Sequence, residues 1–160
     1  VESITVKPFL NSSLAEEEKL RRALDAAVRL VEAEAGALFL ASPDGTLSLS
    51  ALGGERAAGL TALHSTVAAG VHRTGQAVLI TQGRQDPRLV AGQGWQAALS
   101  VASLVSVPVR MGARAVGVLE VVNRRSGKPF SNWDVLELAS LSNQFGLAID
   151  NLRRGSGVRA

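Results

Sequence analysis

Apolar residues recur at helical spacing near the start of the chain. Steps of four, three and four residues separate Leu20, Leu24, Ala27 and Val31. This spacing places their side chains on one face of a helix. Pro8 disfavours a helix in residues 1–11, whereas Ser13 and Glu16 have the spacing of a capping box. We therefore predict a first helix that begins near Ser13 and ends at Gly36.

A second amphipathic pattern lies near the end of the chain. Steps of three and four residues separate Leu138, Leu141, Phe145, Ala148 and Leu152. Ser131 precedes Asp134 by three residues, which is again a capping arrangement. Leu136 and Leu147 lie off this stripe, so the helix should pack against more than one neighbour. One neighbour is the sheet, and the other is either the first helix or the same helix of a second subunit.

Between these helices, short apolar runs alternate with turn signals. The predicted elements lie, in order, at 37–41 (strand), 47–51 (strand), 61–73 (helix) and 77–81 (strand). Pro43-Asp44-Gly45 predicts a hairpin turn between the first two strands. Thr61 is the predicted cap of the helix, and Gly75 its end. The polar stretch 82–102, with a short helical turn around 87–91, is long enough to indicate a functional loop.

The most apolar segment, LVSVPVRMGARAVGVLEVVN (104–123), predicts a β-hairpin. With the turn at 112–113, Val105 pairs with Glu120, and Ser106 lies on the opposite face. Both faces are mostly apolar, so we expect this hairpin in the interior of a sheet. Hairpin strands bracketed by terminal helices imply an α+β domain with an antiparallel sheet.

Composition narrows the functions that remain. The chain has 160 residues, 46% of them hydrophobic, which fits one domain with a core. No apolar run approaches the roughly 20 residues of a membrane span, and no secretory signal is seen. The net charge is +3, but no basic run exceeds two residues, so nucleic-acid binding is not expected. The absence of cysteine excludes thiol catalysis, disulfides and thiolate metal sites.

The segment 103–151 carries a recognisable order of residues. A serine precedes an apolar strand with a proline, a glycine-containing strand closes on asparagine, and an apolar residue and an aspartate introduce a long helix. These positions are Ser103, Pro108, Gly117, Asn123, Phe130, Asp134, Ile149 and Asn151. Together with GVHRTGQAVLITQGRQDPRL upstream, the pattern resembles the GAF domain family of signalling proteins, from about Leu20 to Leu152.

The resemblance implies a GAF-like fold, similar to the profilin and PAS folds. A central antiparallel sheet of five to six strands would carry the N- and C-terminal helices on one face, and loops and short helices over the other. We expect residues 1–12 to form an N-terminal extension, 13–154 the GAF domain and 155–160 a flexible tail or linker. Because the chain begins with Val1, we expect a fragment of a longer protein.

The resemblance also implies a non-catalytic sensory domain of a bacterial, cytoplasmic signalling protein. Such a domain would bind a small molecule, for example a nucleotide or metabolite, and act on an output domain such as a kinase, cyclase or phosphodiesterase. GAF photoreceptors attach a bilin to cysteine, and methionine-sulfoxide-reducing GAF enzymes depend on cysteines. Both activities are excluded because this chain has none. The sequence indicates no particular cofactor.

Six residues are candidate ligand contacts: Asp86, Arg88, Trp95, Ser103, Ser106 and Glu120. Arg88 either grips an anion or forms an ion pair with Asp86 that staples the loop. Trp95 either stacks on a planar ligand or fills the core beneath the loop. The serines either donate to a ligand or only begin a strand. Glu120 needs a donor, solvent or a pocket, because a lone buried carboxylate is costly.

Two further patterns have simpler explanations. The order Asn123, Arg124, Phe130 and Asp134 resembles the Asn-Lys…Phe…Asp-Glu motif of cyclic-nucleotide-binding GAF domains, with Val135 in place of the glutamate. We favour a structural role, as a turn and a helix cap. His64 and His72 are the chain's histidines, and no carboxylate pattern accompanies them to indicate a metal site.

Assembly is the last prediction from the sequence. We expect a homodimer through the terminal helices, with an interface that uses Leu138, Leu141, Phe145 and Leu152. The alternative function is a ligand-free module for dimerisation and signal relay, with a filled pocket. An enzyme is poorly supported, because no nucleophile, base and orienting group recur at a usable spacing.

Overall fold

The elements of the computed structural model follow the predicted order. It describes residues 8–54, 65–90 and 100–154, and the side chains of all of these except residues 8–14, 90 and 152. In chain order, the elements are helix α1 (Pro8–Leu30), strands β1 (Ala33–Ala41) and β2 (Leu47–Gly53), helix α2 (Thr66–Thr74), strand β3 (Val78–Ile80), a 3₁₀ turn (Gly83–Gln85), helix α3 (Pro87–Val90), strands β4 (Leu104–Met111) and β5 (Arg114–Arg124), and helix α4 (Asn132–Arg153).

The described strands form one antiparallel sheet in the order β2-β1-β5-β4-β3. β4 and β5 lie in its interior, as their two apolar faces predict. β3 pairs with residues 104–106 of β4. Pro108 lies beyond these residues, so its missing N–H breaks no bond to β3. The predicted α+β class with a central antiparallel sheet is confirmed.

The pairing of β4 with β5 differs from the prediction by one residue. A β-bulge lies between Val109 and Arg110, where Val109 pairs with Gly117 but Arg110 pairs with Ala115. The bulge inserts Val116 as an extra residue on β5. Because side chains alternate between faces along a strand, this shift moves Glu120 to the opposite face.

The helices divide between the two faces of the sheet. On one face, α1 and α4 pack against the sheet through a core that includes Leu24, Val28, Leu38, Val107, Leu119, Leu138 and Phe145. On the other face, α2 packs through a second core that includes Phe39, Val67, Val71, Leu104 and Val118. The prediction that both terminal helices share one face is therefore confirmed.

Both predicted ends of α1 are wrong. The helix begins at Pro8, because proline is tolerated in the first turn, where its missing N–H would have no helical partner. It thus crosses the expected boundary after residue 12. It ends at Leu30, and Glu32 reverses the chain with a φ of 57°. Gly36 lies in β1 instead, where a Cβ would approach Val28 Cγ2 to 2.7 Å, so the glycine permits close packing of α1 on the strand.

The C-terminal helix turns its predicted dimer stripe inward. Leu138 and Phe145 are 0% and 1% exposed within the single chain, and Leu141 is half-buried against the same core. Nothing is described of the Leu152 side chain. Because the core of the same chain already covers Leu138 and Phe145, a dimer interface would have to use other side chains of α4. Among the described helices, none is long and apolar enough to cross a membrane.

Candidate functional site

A buried carboxylate lies beneath the start of α2. Glu120 is 0% exposed, and Ser65 Oγ lies 3.2 Å from its Oε1 and 3.1 Å from its Oε2, so the hydroxyl donates to this carboxylate. The same Oγ accepts from Ala68 N at 3.0 Å, which caps α2. Ser65, and not the predicted Thr61, is thus the cap; Thr61 lies outside the described residues. The donor that Glu120 needs comes from a helix cap.

A lateral row across the sheet connects Glu120 with the edge strand. The row consists of Ala37 on β1, Glu120 on β5, Ser106 on β4 and Val78 on β3. Ser106 is fully buried, and its Oγ has no hydrogen-bond partner among the described residues. A buried hydroxyl without a partner is costly.

An open groove of about 470 Å³ lies at the β3 edge of the sheet, between α2 and α3. We call it the edge groove. Its walls are formed by Thr66, Val67, Gly70, Val71, Arg73, Thr74, Gln76, Val78, Pro87 and Arg88. Small-molecule sites commonly enclose about 300–1,000 Å³. Val78 belongs both to the groove and to the lateral row, so the groove lies one strand away from Ser106.

Asp86 and Arg88 form the ion pair that the sequence left open. Arg88 Nε donates to Asp86 Oδ1 at 2.9 Å and Nη2 to Oδ2 at 2.6 Å, and the backbone N–H of Arg88 also reaches Oδ1 at 2.9 Å. The side-chain hydrogen bonds of Arg88 lower the pKa of Asp86 and raise that of Arg88. Two of the five guanidinium N–H groups are used here, so three remain available, and Arg88 is one of the residues that line the groove.

Two groove residues were not singled out from the sequence. Arg73 lines the groove near the end of α2, and no sequence signal distinguishes it from the other scattered arginines. Gly70 lies in the middle of α2, where a glycine costs about 1 kcal/mol relative to alanine. A glycine inside a helical pattern departs visibly from helix propensity, so Gly70 was detectable as an unusual position.

The Asn123 motif has a structural role in the described residues. Asn123 Oδ1 accepts from Ala102 N at 2.7 Å and Ser103 N at 3.3 Å, and its Nδ2 donates to Glu34 Oε1 at 3.2 Å. Asn123 thus holds the start of β4. Asp134 accepts from Ser131 N at 2.8 Å, which caps α4. The motif residues make a turn and a cap, while Ser103 lies buried at the entry of β4.

The candidate His72 is not among the residues that line the groove. Trp95 and His64 lie outside the described residues. His72 is half-buried on α2, and its Nδ1 has no hydrogen-bond partner among the described residues. Within those residues, no group of three His, Cys, Asp or Glu side chains is placed to hold a metal ion.

The sheet order, with both terminal helices on one face and α2 on the other, defines an α+β domain. The family model of the GAF domain matches residues 13–150. The chain therefore belongs to the GAF domain family. A comparison with curated proteins found no match.

Solved structures agree with this fold. Residues 122 to 287 of a methyl-accepting chemotaxis protein share 22% identity, with a TM-score of 0.70 over 89% of this chain and 93% of that chain. The GAF domain of a two-component sensor histidine kinase from Bacillus halodurans shares 16% identity, with a TM-score of 0.62 over 85% of this chain and 95% of that chain. A type II free methionine-R-sulfoxide reductase from Thermoplasma acidophilum shares 18% identity, with a TM-score of 0.61 over 87% of this chain and 96% of that chain. At these identities, the likeness shows the fold alone.

Proposed function

We propose that this chain is a non-catalytic sensory domain of a multidomain signalling protein, which binds a small molecule in the edge groove and acts on an output domain. The groove, at about 470 Å³, is the observation that carries the proposal. Similar structures from a methyl-accepting chemotaxis protein and from the GAF domain of a sensor histidine kinase support the signalling role. The lack of cysteine argues against the chemistry of the reductase neighbour.

A chain of direct contacts supports the relay of a signal from the groove to α4. Arg110 Nη2 donates to the carbonyl of Gly75 at 2.6 Å, just beyond the groove residue Thr74. The backbone of the same Arg110 packs against Gly146 on α4. A ligand that shifts the end of α2 would therefore act on α4 through one residue. It changes the balance between conformations only if it prefers one of them.

The proposal is tested by a thermal-shift screen of a metabolite library that includes anions, cations and neutral compounds. In NMR spectra, each compound that binds should shift the backbone amide signals of Gly70, Gln76 and Val78. For a hit, hydrogen exchange of residues 142–150 should slow on binding in the wild type but not in Arg110→Met, which lacks the bond to Gly75. If no compound of any class binds in the groove, the sensory proposal fails.

A second candidate function is dimerisation through α4, with or without a ligand. Trp133, Leu136 and Leu147 are 68%, 62% and 54% exposed. Leu136 and Leu147 are separated by 11 residues, about three helical turns, so they share one face. The open groove argues against the filled pocket expected of a purely structural module.

A further inference from the structure

The charged side chains that line the edge groove are both arginines. Its polar side chains are Thr66, Arg73, Thr74, Gln76 and Arg88, with no carboxylate among the lining residues. Arg73 makes no hydrogen bond or ion pair with any residue that the structure describes. Asp86 fixes the guanidinium of Arg88 from outside the groove. One guanidinium without a partner among the described residues and one held by Asp86 therefore border the same space, and arginine forks match carboxylate and phosphate oxygens.

The rest of the lining is apolar. Val67, Val71, Val78 and Pro87 also line the groove. A free inorganic anion gains little from such side chains, whereas an organic anion buries its apolar part against them. Two arginines beside apolar side chains fit a ligand that has both an anionic group and an apolar part.

Gly70 supplies an independent argument for a bound molecule. A Cβ at this position would meet one atom within 4 Å, Arg73 Nη2 at 3.8 Å, and Gly70 has no positive φ that would require glycine. The fold therefore does not need a glycine here, and helix propensity disfavours it. Its effect is to leave free the space beside the Arg73 guanidinium.

We infer that the edge groove binds an amphipathic organic anion, a carboxylate or phosphate ester, with Arg73 and Arg88 on the anionic group and the valines on the apolar part. This inference rests on the proposed function, because it names the ligand class of the same groove. Arg73 confers the preference for negative charge, and Gly70 provides the room.

The test uses naphthoate, its neutral isostere naphthamide, the cation naphthylmethylammonium and inorganic phosphate. We expect naphthoate to shift the amides of Gly70, Arg73 and Val78 saturably. It should bind about tenfold or more tightly than naphthamide, the gain of one charge-assisted contact. Phosphate alone should bind more weakly than naphthoate, and the cation should produce no shift at these amides.

Variants separate the contribution of the Arg73 charge from that of the space beside Gly70. Arg73→Gln should lower the preference for naphthoate over naphthamide several-fold, because Arg88 alone remains on the anionic group, while Arg73→Lys restores part of it. Arg114, an exposed arginine at the start of β5, gives the matched control Arg114→Gln, which should bind as the wild type does. Gly70→Leu should abolish binding of both naphthyl compounds without lowering the midpoint of urea unfolding.

Three results would overturn the inference. The first is naphthamide or the cation binding in the groove as tightly as naphthoate, which leaves the sensory proposal standing with another ligand class. The second is naphthoate shifting amides elsewhere or none at all. The third is phosphate matching naphthoate, or Arg114→Gln losing as much affinity as Arg73→Gln, since either result indicates a general response to charge. The sensory proposal itself fails only on the metabolite screen.

Discussion

Two glycines inside helices provide opposite tests of packing. A Cβ at Gly146 would overlap the carbonyl oxygen of Arg110, because α4 lies directly against β4. We expect Gly146→Ala to lower the free energy of unfolding by about 1–3 kcal/mol, the usual cost of overpacking. Gly70→Ala should raise it by about 0.5–1 kcal/mol, because it relieves the backbone entropy of glycine. Urea unfolding of both variants measures the difference.

The two substitutions control for each other, since both exchange glycine for alanine within a helix. Equal effects would show that helix propensity alone decides the outcome. A loss of stability in Gly70→Ala would contradict the open space described beside Arg73.

The Asp86–Arg88 pair predicts a local response to acid. Hydrogen bonds from the Arg88 side chain lower the folded-state pKa of Asp86. A lowered pKa means that the pair contributes fully above the unfolded value of about 3.9, and that its contribution is lost as pH falls through the lower folded value. Because Arg88 is 53% exposed at its side chain, we expect a small contribution, about 0.2–1 kcal/mol.

The amide proton shift of Arg88, followed by NMR from neutral pH downward, measures this titration. We expect its midpoint below the ordinary aspartate pKa. Asp86→Asn should remove the transition, because the neutral amide does not titrate. A midpoint at or above the ordinary value would show that the bidentate pair does not persist in solution.

Among the elements, α2 depends on its cap more than α4 does. Ser65 both caps α2 and donates to the buried Glu120, whereas the hydroxyl of Ser131 at the start of α4 donates at 3.3 Å to Asp134. Ser65→Ala should therefore cost about 2–4 kcal/mol, the sum of a cap and a hydrogen bond to a charged group. Ser131→Ala should cost about 1 kcal/mol or less.

Thermal and urea unfolding of these two variants make the comparison, with Ser65→Thr as the control that keeps a hydroxyl. Equal losses for the two alanine variants would mean that the bond to Glu120 contributes nothing. A loss in Ser65→Thr as large as in Ser65→Ala would assign the effect to shape and not to the hydroxyl.

The β4–β5 pair shows why the hairpin could be predicted but not its register. Alternating apolar residues and a glycine turn identify the two strands. The bulge at Val116 has no sequence signal, because a valine looks the same whether it is paired or extra. One such residue places Glu120 on the face of Ser106 and Ser65 instead of among the valines of the other face. The alternation of apolar residues therefore could not predict which side chains contact Glu120.

For the molecule as a whole, the architecture was predictable and the groove was not. Helical stripes and paired strands repeat their signal over many residues, and the GAF resemblance rests on their order. The edge groove depends instead on how closely α2 approaches β3 and α3, which Gly70 and Arg73 reveal only once placed beside Val78. Arg88 was identified from the sequence because the Asp-Pro-Arg turn is local.

At the scale of the whole molecule, the exposed apolar side chains of α4 predict how the protein assembles. The side chains of Trp133, Leu136 and Leu147 project away from the core that holds Leu138 and Phe145. Single exposed leucines are normal, but large apolar residues sharing one helix face commonly mark an interface. We propose that a second copy of this chain covers them. Its α4 offers the same apolar face and adds no charge among these side chains.

Leu136→Glu with Leu147→Glu should convert the dimer to a monomer, because burying unpaired carboxylates would cost about 3–5 kcal/mol. Sedimentation velocity across a concentration series gives the mass. The stability of the folded monomer should change by about 0.5 kcal/mol or less, as expected for surface positions. Ser126→Glu, at an exposed position in the turn between β5 and α4, should leave the dimer intact. A monomeric wild type at the highest concentration, or a dimeric double variant, would rule out this face as the interface. The core already uses the opposite side of α4. If the dimer interface lies elsewhere in the molecule, a signal from the groove would therefore have to reach it by a route other than the contact of Arg110 with Gly146.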